Sequence, residues 1–329
     1  MPVVLGTPAC VPVNTIAGVT VDILSGEPAP PTLKARRGRR RARSDPQADW
    51  VSQNLAIADG FGNSYVYSKE LGGGYFAKAY LFVSETTDER LAVRVEWEGK
   101  EIDLPPALGT AEGLMLARTK SFFKARLQVM ELGVSTAEDF FLKYENAEYL
   151  PQFECFVKAL LEQLMANRLT YYDLKPDNIV VCRCPSKGFL YFRAIDIDSV
   201  GSLARPKQDA FYRIDTRTEG VVAPPAYSVV FTAFAALLTI YLARKLVMEG
   251  PLDVQTFWNK WKWKKADLRY SDNFLPAARH WRSMHDFDAF FEAVGDIVPT
   301  QSTAEAAWEK VKPVVQGCIG GYKDRVAIM

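Results

Sequence analysis

The sequence predicts an α+β chain in which a small β-rich region is followed by a larger, mainly helical one. Three segments between Ser64 and Val95 alternate or cluster β-branched and aromatic residues, with turn residues between them, which predicts a three-stranded antiparallel meander. After Gly133 the pattern becomes helical, and "LPQFECFVKALLEQLMANRL" has apolar residues every three or four positions. The strand-like segments "NIVVCR" and "FLYFRAID" follow, and the remainder is largely helical.

Length and composition bound the organisation of the chain. Its 329 residues are 48% hydrophobic, which is enough for a substantial core. Residues 1–60 are predicted to be an N-terminal extension, residues 61–132 the β-rich domain and residues 133–329 the helical domain. The net charge of +1 excludes a global field that would draw the chain to nucleic acid or membrane.

A basic run lies inside the predicted extension. From Lys34 to Arg43 it carries seven cations in ten residues, with prolines on both sides, so part of the extension should be disordered. Such a run is typical of a nuclear localisation signal or a nucleic-acid-binding arm, and equally of a solvated tail. Nucleic acid is therefore expected as a partner only through residues 34–43. The five scattered cysteines favour a reducing compartment, so we expect a nuclear or cytoplasmic protein.

An uncharged stretch from Val221 to Ala243 is long enough to cross a bilayer. Pro224 and Pro225 interrupt it, and the helical part after them is only about 17 residues long. A buried core helix has the same composition, and we therefore expect no membrane span.

A glycine-rich turn separates the first two predicted strands. In "LGGGYFAKAY" the glycines Gly72, Gly73 and Gly74 would let backbone amides approach phosphate oxygens. Such a turn alone is more often a simple hairpin. Here Arg94 follows Gly72 at 22 residues, in the strand-like segment "LAVRV". Lys78 should not replace it, because strand alternation points Lys78 away from the face that Ala79 occupies.

The stretch "TYYDLKPDNIVV" joins an apolar helix to an apolar strand. Asp173 suits the role of a base that accepts a proton from an attacking hydroxyl. Lys175 would neutralise a γ-phosphate, and Asn178 would ligate a metal ion. The alternative is a helix-to-strand turn that the aspartate merely caps.

Together these motifs resemble the eukaryotic protein kinase family, with the Lys and Pro of "DLKPDN" closer to its serine/threonine branch. The resemblance implies a bilobal fold, with the small lobe at 61–132 and the large lobe at 133–329. It also implies ATP as cofactor, with Arg94 replacing the usual strand lysine. The implied nucleotide-binding residues are Gly72, Gly73, Gly74, Ala79, Ala92, Arg94, Glu112, Glu131 and Gly133.

The resemblance also implies a magnesium site. Asp196, in "AIDID" and 23 residues after Asp173, resembles the metal-binding Asp of D-F-G and would hold Mg²⁺ together with Asn178. Asp198 is interpreted as a solvated residue in preference to a second metal ligand. Glu112 is the first candidate for the helix glutamate that pairs with the strand cation, and Glu101 is the alternative.

Departures from the family pattern leave two functions open. Tyr171 and Tyr172 replace the family's usual His and Arg, and this change concerns the scaffold of the fold and its regulation. Arg94 replaces the usual lysine, and this change concerns the catalytic chemistry. The chain is then either a serine/threonine kinase acting on a protein substrate, or a pseudokinase that binds nucleotide or a partner protein without efficient turnover.

Overall fold

The computed structural model describes residues 20–23, 46–59, 61–73, 77–96, 119–122, 127–171, 173–184, 188–195, 200–203, 225–250, 290, 292–293 and 302–318. These residues fall into two compact units. Unit 1 takes the described residues up to Gly133 together with Cys182–Leu190. Unit 2 takes Val134–Val181 and the described residues from Tyr191 onward. The arrangement of two kinase lobes stays a prediction.

Unit 1 is built on one seven-stranded antiparallel sheet, in the order β1-β2-β3-β4-β5-β7-β6. The predicted meander is confirmed as strands β3, β4 and β5. The elements are β1 (Thr20–Ile23), α1 (Pro46–Asn54), β2 (Leu55–Ala58), β3 (Ser64–Gly73), β4 (Ala77–Ser84), β5 (Arg90–Glu96), β6 (Thr119–Phe122) and β7 (Leu127–Glu131).

The core of unit 1 lies on one face of this sheet, where α1 packs. Alternate residues of the strands point there because side chains switch faces at every position. Part of this core comes from the first 60 residues, which the sequence analysis treated as an extension. Its buried members are Trp50, Val51, Leu55, Ile57, Tyr65, Tyr80, Phe82, Leu91, Val93, Val95 and Val129.

The stretch "TAEGLMLARTKSFF", which contains the candidate helix glutamate Glu112 and has helical spacing of its apolar residues, ends in a strand instead of a helix. Thr119–Phe122 forms strand β6 and pairs with β7, Phe122 lying opposite Leu127. The β-branched and aromatic residues at the two ends of this segment suit a strand. The earlier residues of the stretch lie outside the described part of the chain.

The remaining elements form mainly unit 2, and the predicted helices and strands from "STAEDFF" to "FLYFRAID" are confirmed. Strands β11-β10-β8 form one small sheet and β12-β9 another. The elements are β8 (Ser135–Thr136), α2 (Ala137–Phe141), α3 (Leu150–Ala166), β9 (Leu169–Tyr171), β10 (Ile179–Arg183), β11 (Leu190–Ala194), β12 (Val200–Ser202), α4 (Pro225–Glu249) and α5 (Ala304–Cys318).

Helix α3 buries an apolar stripe against a cluster of aromatic rings. Phe192 of β11 lies at the centre, with ring centroids 5.1 Å from Phe153 and 5.8 Å from Phe156. One charged side chain breaks the stripe: Glu154 is 2% exposed and pairs with Arg244 of α4 at 2.6 Å. The buried carboxylate is thereby compensated, as a buried charge requires.

Helix α4 runs through the interior of unit 2. The helix begins at Pro225, whose fixed φ favours the first position of a helix. It is followed by Gly250, which has φ +76° and donates a hydrogen bond from its N–H to the Leu246 carbonyl. By length and composition the segment Ser228–Met248 could cross a membrane. However, 83% of its apolar 18-residue stretch is buried inside the fold. The helix therefore has the burial predicted for a core helix.

Candidate functional site

Several predicted nucleotide-binding residues lie in one cross-strand row of unit 1. Gly72 lies opposite Ala79, Ala79 opposite Arg94, and Arg94 opposite Gln128. Ala92 follows in the next row on the same face, opposite Met130, because directly opposed residues of an antiparallel pair point to the same side.

This row lies on the face of the sheet opposite the core. Val93 and Val95, the neighbours of Arg94, are fully buried in the core, so strand alternation directs Arg94 to the other face. Lys78 lies opposite Val95 and its ammonium is 3.1 Å from Glu70 Oε2. The prediction that Lys78 does not share the face of Ala79 and Arg94 is therefore confirmed.

The glycine-rich hairpin needs glycine at two described positions. Gly72 has φ +151°, a conformation that residues with a Cβ rarely adopt. A Cβ on Gly73 would lie 2.7 Å from the Lys78 Cγ and 3.0 Å from the Ala77 carbonyl oxygen. Gly74 lies outside the described residues.

Arg94 has a hydrogen-bond partner that the sequence analysis missed. Its Nη1 donates to Gln128 Oε1 at 3.3 Å. Gln128 is 3% exposed, and its Nε2 has no hydrogen-bond partner among the residues described. The sequence signal for this partner was Gln128, the one side-chain amide in the strand-like segment "RLQVME".

Two further residues that the resemblance implied for nucleotide binding, Glu131 and Gly133, lie at the end of β7 and just after it. Glu131 is the last residue of the strand and lies opposite Leu91, and Gly133 follows two residues later. Both residues are partly buried.

The three predicted catalytic-loop residues come together in unit 2. Asp173 follows β9 and is 4% exposed, and a short 3₁₀ helix, Pro176–Asn178, leads into β10. The Asn178 Nδ2 donates to the Asp173 carbonyl oxygen and to its Oδ2, both at 2.8 Å. The Lys175 ammonium is 3.1 Å from the same Oδ2. The carboxylate is thus held in one orientation and has a cation beside it.

The Asn178 side chain suits a hard cation. Because its amide nitrogen is committed to Asp173, its amide oxygen is the atom that can face a metal, and oxygen is the ligand that Mg²⁺ prefers. Within the described part of the chain, no group of three or more His, Cys, Asp or Glu could hold a metal ion. Magnesium bound mainly by phosphates and water does not need such a group.

Asp177 is a second carboxylate in the loop that the sequence analysis did not single out. Its Oδ2 is 3.5 Å from the Lys175 ammonium, while its Oδ1 is buried with no hydrogen-bond partner in the described structure. Burial raises the pKa of Asp177, and the charge of Lys175 opposes this effect. Lys175 therefore lies between two carboxylates.

Tyr171 connects the loop to the strand that precedes Asp196. It is fully buried, and its hydroxyl donates to the Ile195 carbonyl. The Ile195 N–H donates in turn to the Asn178 carbonyl at 2.8 Å. The residue before the predicted metal ligand Asp196 is therefore tied directly to the other predicted metal ligand, Asn178. The sequence indicated a scaffold role for Tyr171 but gave no signal for this contact of its hydroxyl.

Other predicted residues lie outside the described part of the chain. They are Gly74, Glu101, Glu112, Tyr172, Asp196 and Asp198.

Among the solved structures similar to this chain is a crystal structure described as a kinase domain. The two share 13% sequence identity at a TM-score of 0.40, over 57% of this chain and 65% of that chain. The match thus spans less than two thirds of that kinase domain, and similarity at this level carries no information on activity. No family model matches the chain, and no curated protein matches it.

Proposed function

We propose that this chain is an ATP-dependent phosphotransferase of the protein kinase type that phosphorylates serine or threonine hydroxyls of a protein substrate. The observation that carries the proposal is the Asp173 carboxylate, oriented by Asn178 and paired with Lys175. A helix-to-strand turn that served structure alone would not need a half-buried ammonium beside its buried carboxylate, because removing charged groups from water costs free energy.

In this proposal Asp173 is the catalytic base. Its carboxylate takes the proton of the acceptor hydroxyl while the oxygen of that hydroxyl bonds to the γ-phosphorus, and the bond from that phosphorus to the bridging oxygen of ADP breaks. Lys175 balances charge on the transferred phosphoryl group. Asn178 and Asp196 would hold Mg²⁺, which when bound offsets the negative charge of the phosphates.

The proposal assigns nucleotide binding to the face of the unit 1 sheet that lies opposite the core. Ala79 and Ala92 are small enough to admit a flat base over the strands. The guanidinium of Arg94 and the backbone of Gly72 and Gly73 would contact phosphate oxygens. Glu131 and Gly133 would present backbone groups to the adenine edge, and Glu112 would pair with Arg94.

The alternative function is a pseudokinase that binds nucleotide or a partner protein without efficient turnover. The hydrogen bond from Arg94 to Gln128 favours it. A guanidinium is larger than an ammonium and presents a planar fork, so it reaches phosphates differently.

Phosphate transfer from γ-labelled ATP separates the two functions. Wild-type protein with Mg²⁺ is expected to label itself or a general protein acceptor, and Asp173→Ala is the matched control. Incorporation no higher than in Asp173→Ala would refute the enzyme.

Thermal unfolding with Mg-ATP then tests nucleotide binding. Ligand at 100 times its Kd stabilises the folded state by about 2.7 kcal/mol, and we expect Asp196→Ala to abolish most of this shift. If Mg-ATP does not raise the unfolding temperature of the wild type, the result would indicate a scaffold protein without a nucleotide site.

Cellular context is also part of the proposal. The basic run 34–43 would act as a nuclear localisation signal, placing the protein in the nucleus or cytoplasm, or would bind nucleic acid. Replacing its seven cations by glutamine should exclude a fluorescent fusion from the nucleus if the run is an import signal.

A further inference from the structure

Gln128 is a buried amide in a strand whose next two residues are apolar. It belongs to β7 and is 3% exposed, and Val129 and Met130 after it are also buried. Because Val129 points into the core of unit 1, Gln128 lies on the opposite sheet face, in the same cross-strand row as Arg94. A buried amide needs hydrogen bonds to offset its lost hydration, so the partners of Gln128 indicate its role.

The one hydrogen bond described for the Gln128 side chain joins it to Arg94. A guanidinium has only donors, so the atom of Gln128 that lies 3.3 Å from Arg94 Nη1 is the amide oxygen. The amide nitrogen is buried and has no hydrogen-bond partner among the residues described. An apolar side chain of the same size would avoid this unpaired donor. Contact with Arg94 is therefore what distinguishes glutamine from an apolar residue at this position.

The amide suits a cation that must keep its charge. A carboxylate in its place would cancel the charge of the guanidinium, whereas the Gln128 oxygen accepts one N–H and leaves the charge in place. The five N–H groups of a guanidinium lie in one rigid plane, so a bond to Nη1 restricts the whole group. Ala79, the residue opposite Arg94 on the other neighbouring strand, has no polar side-chain atom that could do the same.

We propose that Gln128 is a positioning residue whose amide oxygen fixes the plane of the Arg94 guanidinium for contact with the phosphates of a nucleotide. The proposal rests on the nucleotide site proposed above, but not on transfer of phosphate. It predicts that Gln128 acts through Arg94, and that it affects the binding only of ligands that carry phosphates.

The first test compares Mg-ATP with adenosine, which lacks the phosphates. Gln128→Met keeps the side-chain length and the charge of Arg94 and removes the amide. We expect calorimetric titration to show a Kd for Mg-ATP about tenfold higher, the size of one hydrogen bond to a charged group, and a Kd for adenosine within about twofold. The Tm of the ligand-free variant should not fall, because the substitution also removes the buried amide nitrogen described above.

A double-mutant cycle tests whether Gln128 acts through Arg94. In the Arg94→Lys background the ammonium has no planar fork to orient, so adding Gln128→Met should change the Kd for Mg-ATP by less than about twofold. A tenfold effect in both backgrounds would show that Gln128 acts independently of Arg94 and would overturn the proposal.

Val129→Ala is the matched control on the same strand. Val129 is fully buried in the core, so its truncation destabilises β7 from the face that does not carry Arg94. It should lower the Tm and change the Kd values for Mg-ATP and adenosine by the same factor. If Gln128→Met also changes both Kd values by one factor, its role is structural and the proposal is wrong.

The same measurements separate this proposal from the proposed function. If the wild type binds Mg-ATP but transfers no phosphate, and Gln128→Met weakens the binding of Mg-ATP alone, phosphate transfer is refuted while the positioning role stands. If the wild type transfers phosphate and Gln128→Met binds Mg-ATP as tightly as the wild type does, only the positioning role is wrong. A wild type that binds no Mg-ATP would refute both.

Discussion

At the scale of single residues, Arg94 is the side chain to which the proposed function assigns phosphate binding. Its partly buried guanidinium lies on the sheet face opposite the core and donates to Gln128. A lysine at this position would present a compact ammonium without the planar fork. We expect Arg94→Lys to raise the rate of phosphate transfer about tenfold, which corresponds to about 1.4 kcal/mol, measured as kcat/KM for ATP.

The matched variant for this prediction is Gln128→Glu. A carboxylate opposite Arg94 would neutralise the guanidinium and should weaken Mg-ATP binding, whereas the similarly sized Gln128→Met should leave the charge available. If Arg94→Lys lowers the rate, the guanidinium itself is the group that the site requires.

The buried carboxylate of Asp59 is expected to make the stability of the fold depend on pH. Its carboxylate accepts hydrogen bonds from the N–H groups of Phe61 and Asn63 at 2.9 Å and from Asn63 Nδ2 at 2.7 Å. Burial would raise the pKa of Asp59, but these bonds together hold it below its ordinary value of 3.8.

The sign of the effect on stability follows from that direction. A lowered pKa in the folded state stabilises the fold above the unfolded pKa, and the stabilisation is lost as the pH falls through the folded pKa. At pH 7 we expect Asp59→Asn to lower the free energy of unfolding by about 1–3 kcal/mol. Urea unfolding at pH 7 and near pH 3 tests this: an equal deficit at both values would contradict a role for the charge.

At the scale of secondary-structure elements, the β3–β4 hairpin depends on close backbone approach at Gly73. We expect Gly73→Ala to destabilise the protein by about 1–3 kcal/mol, as overpacking does, because the added Cβ meets the Ala77 carbonyl oxygen and Lys78. Denaturant unfolding measures the loss. Ser68→Ala, at an exposed position of the same strand, is the control and should change stability little.

The contacts among the three residues of the proposed catalytic loop were predictable from sequence because these contacts are local. Asp173, Lys175 and Asn178 lie within six residues, so spacing alone brings them together. Other contacts described for the molecule join residues that are distant in sequence. Arg94 and Gln128 are 34 positions apart, and Thr239 is 65 positions from Leu174. No periodicity shows which distant residues meet, since strand and helix packing decide it.

At the scale of the whole molecule, the first 60 residues contribute to the fold of unit 1. Strand β1 pairs with β2, which pairs with β3, and α1 packs Trp50 and Val51 into the core. The Pro-rich and basic composition around residues 28–46 indicated an extension. Composition describes a segment as a whole and does not detect short elements such as β1, whose pairing spans 38 positions from Thr20 to Ala58.

Trp50→Ala tests this contribution. Trp50 is 8% exposed, and its truncation should cost about 3–5 kcal/mol of unfolding free energy. Ser52→Ala, exposed on the same helix, should stay within about 0.5 kcal/mol. Similar stabilities for the two variants would show that α1 contributes little to the core.

Phosphate transfer by Asp173 is tested most directly by comparing wild type with Asp173→Asn. The asparagine keeps the shape of the side chain but cannot accept the hydroxyl proton as a carboxylate does. With Mg²⁺ and γ-labelled ATP, and with nucleotide binding measured for both proteins, we predict similar Kd values and a transfer rate at least about 100-fold lower in Asp173→Asn. Equal transfer rates in the two proteins, or no transfer by wild type while it binds Mg-ATP, would contradict the proposed function.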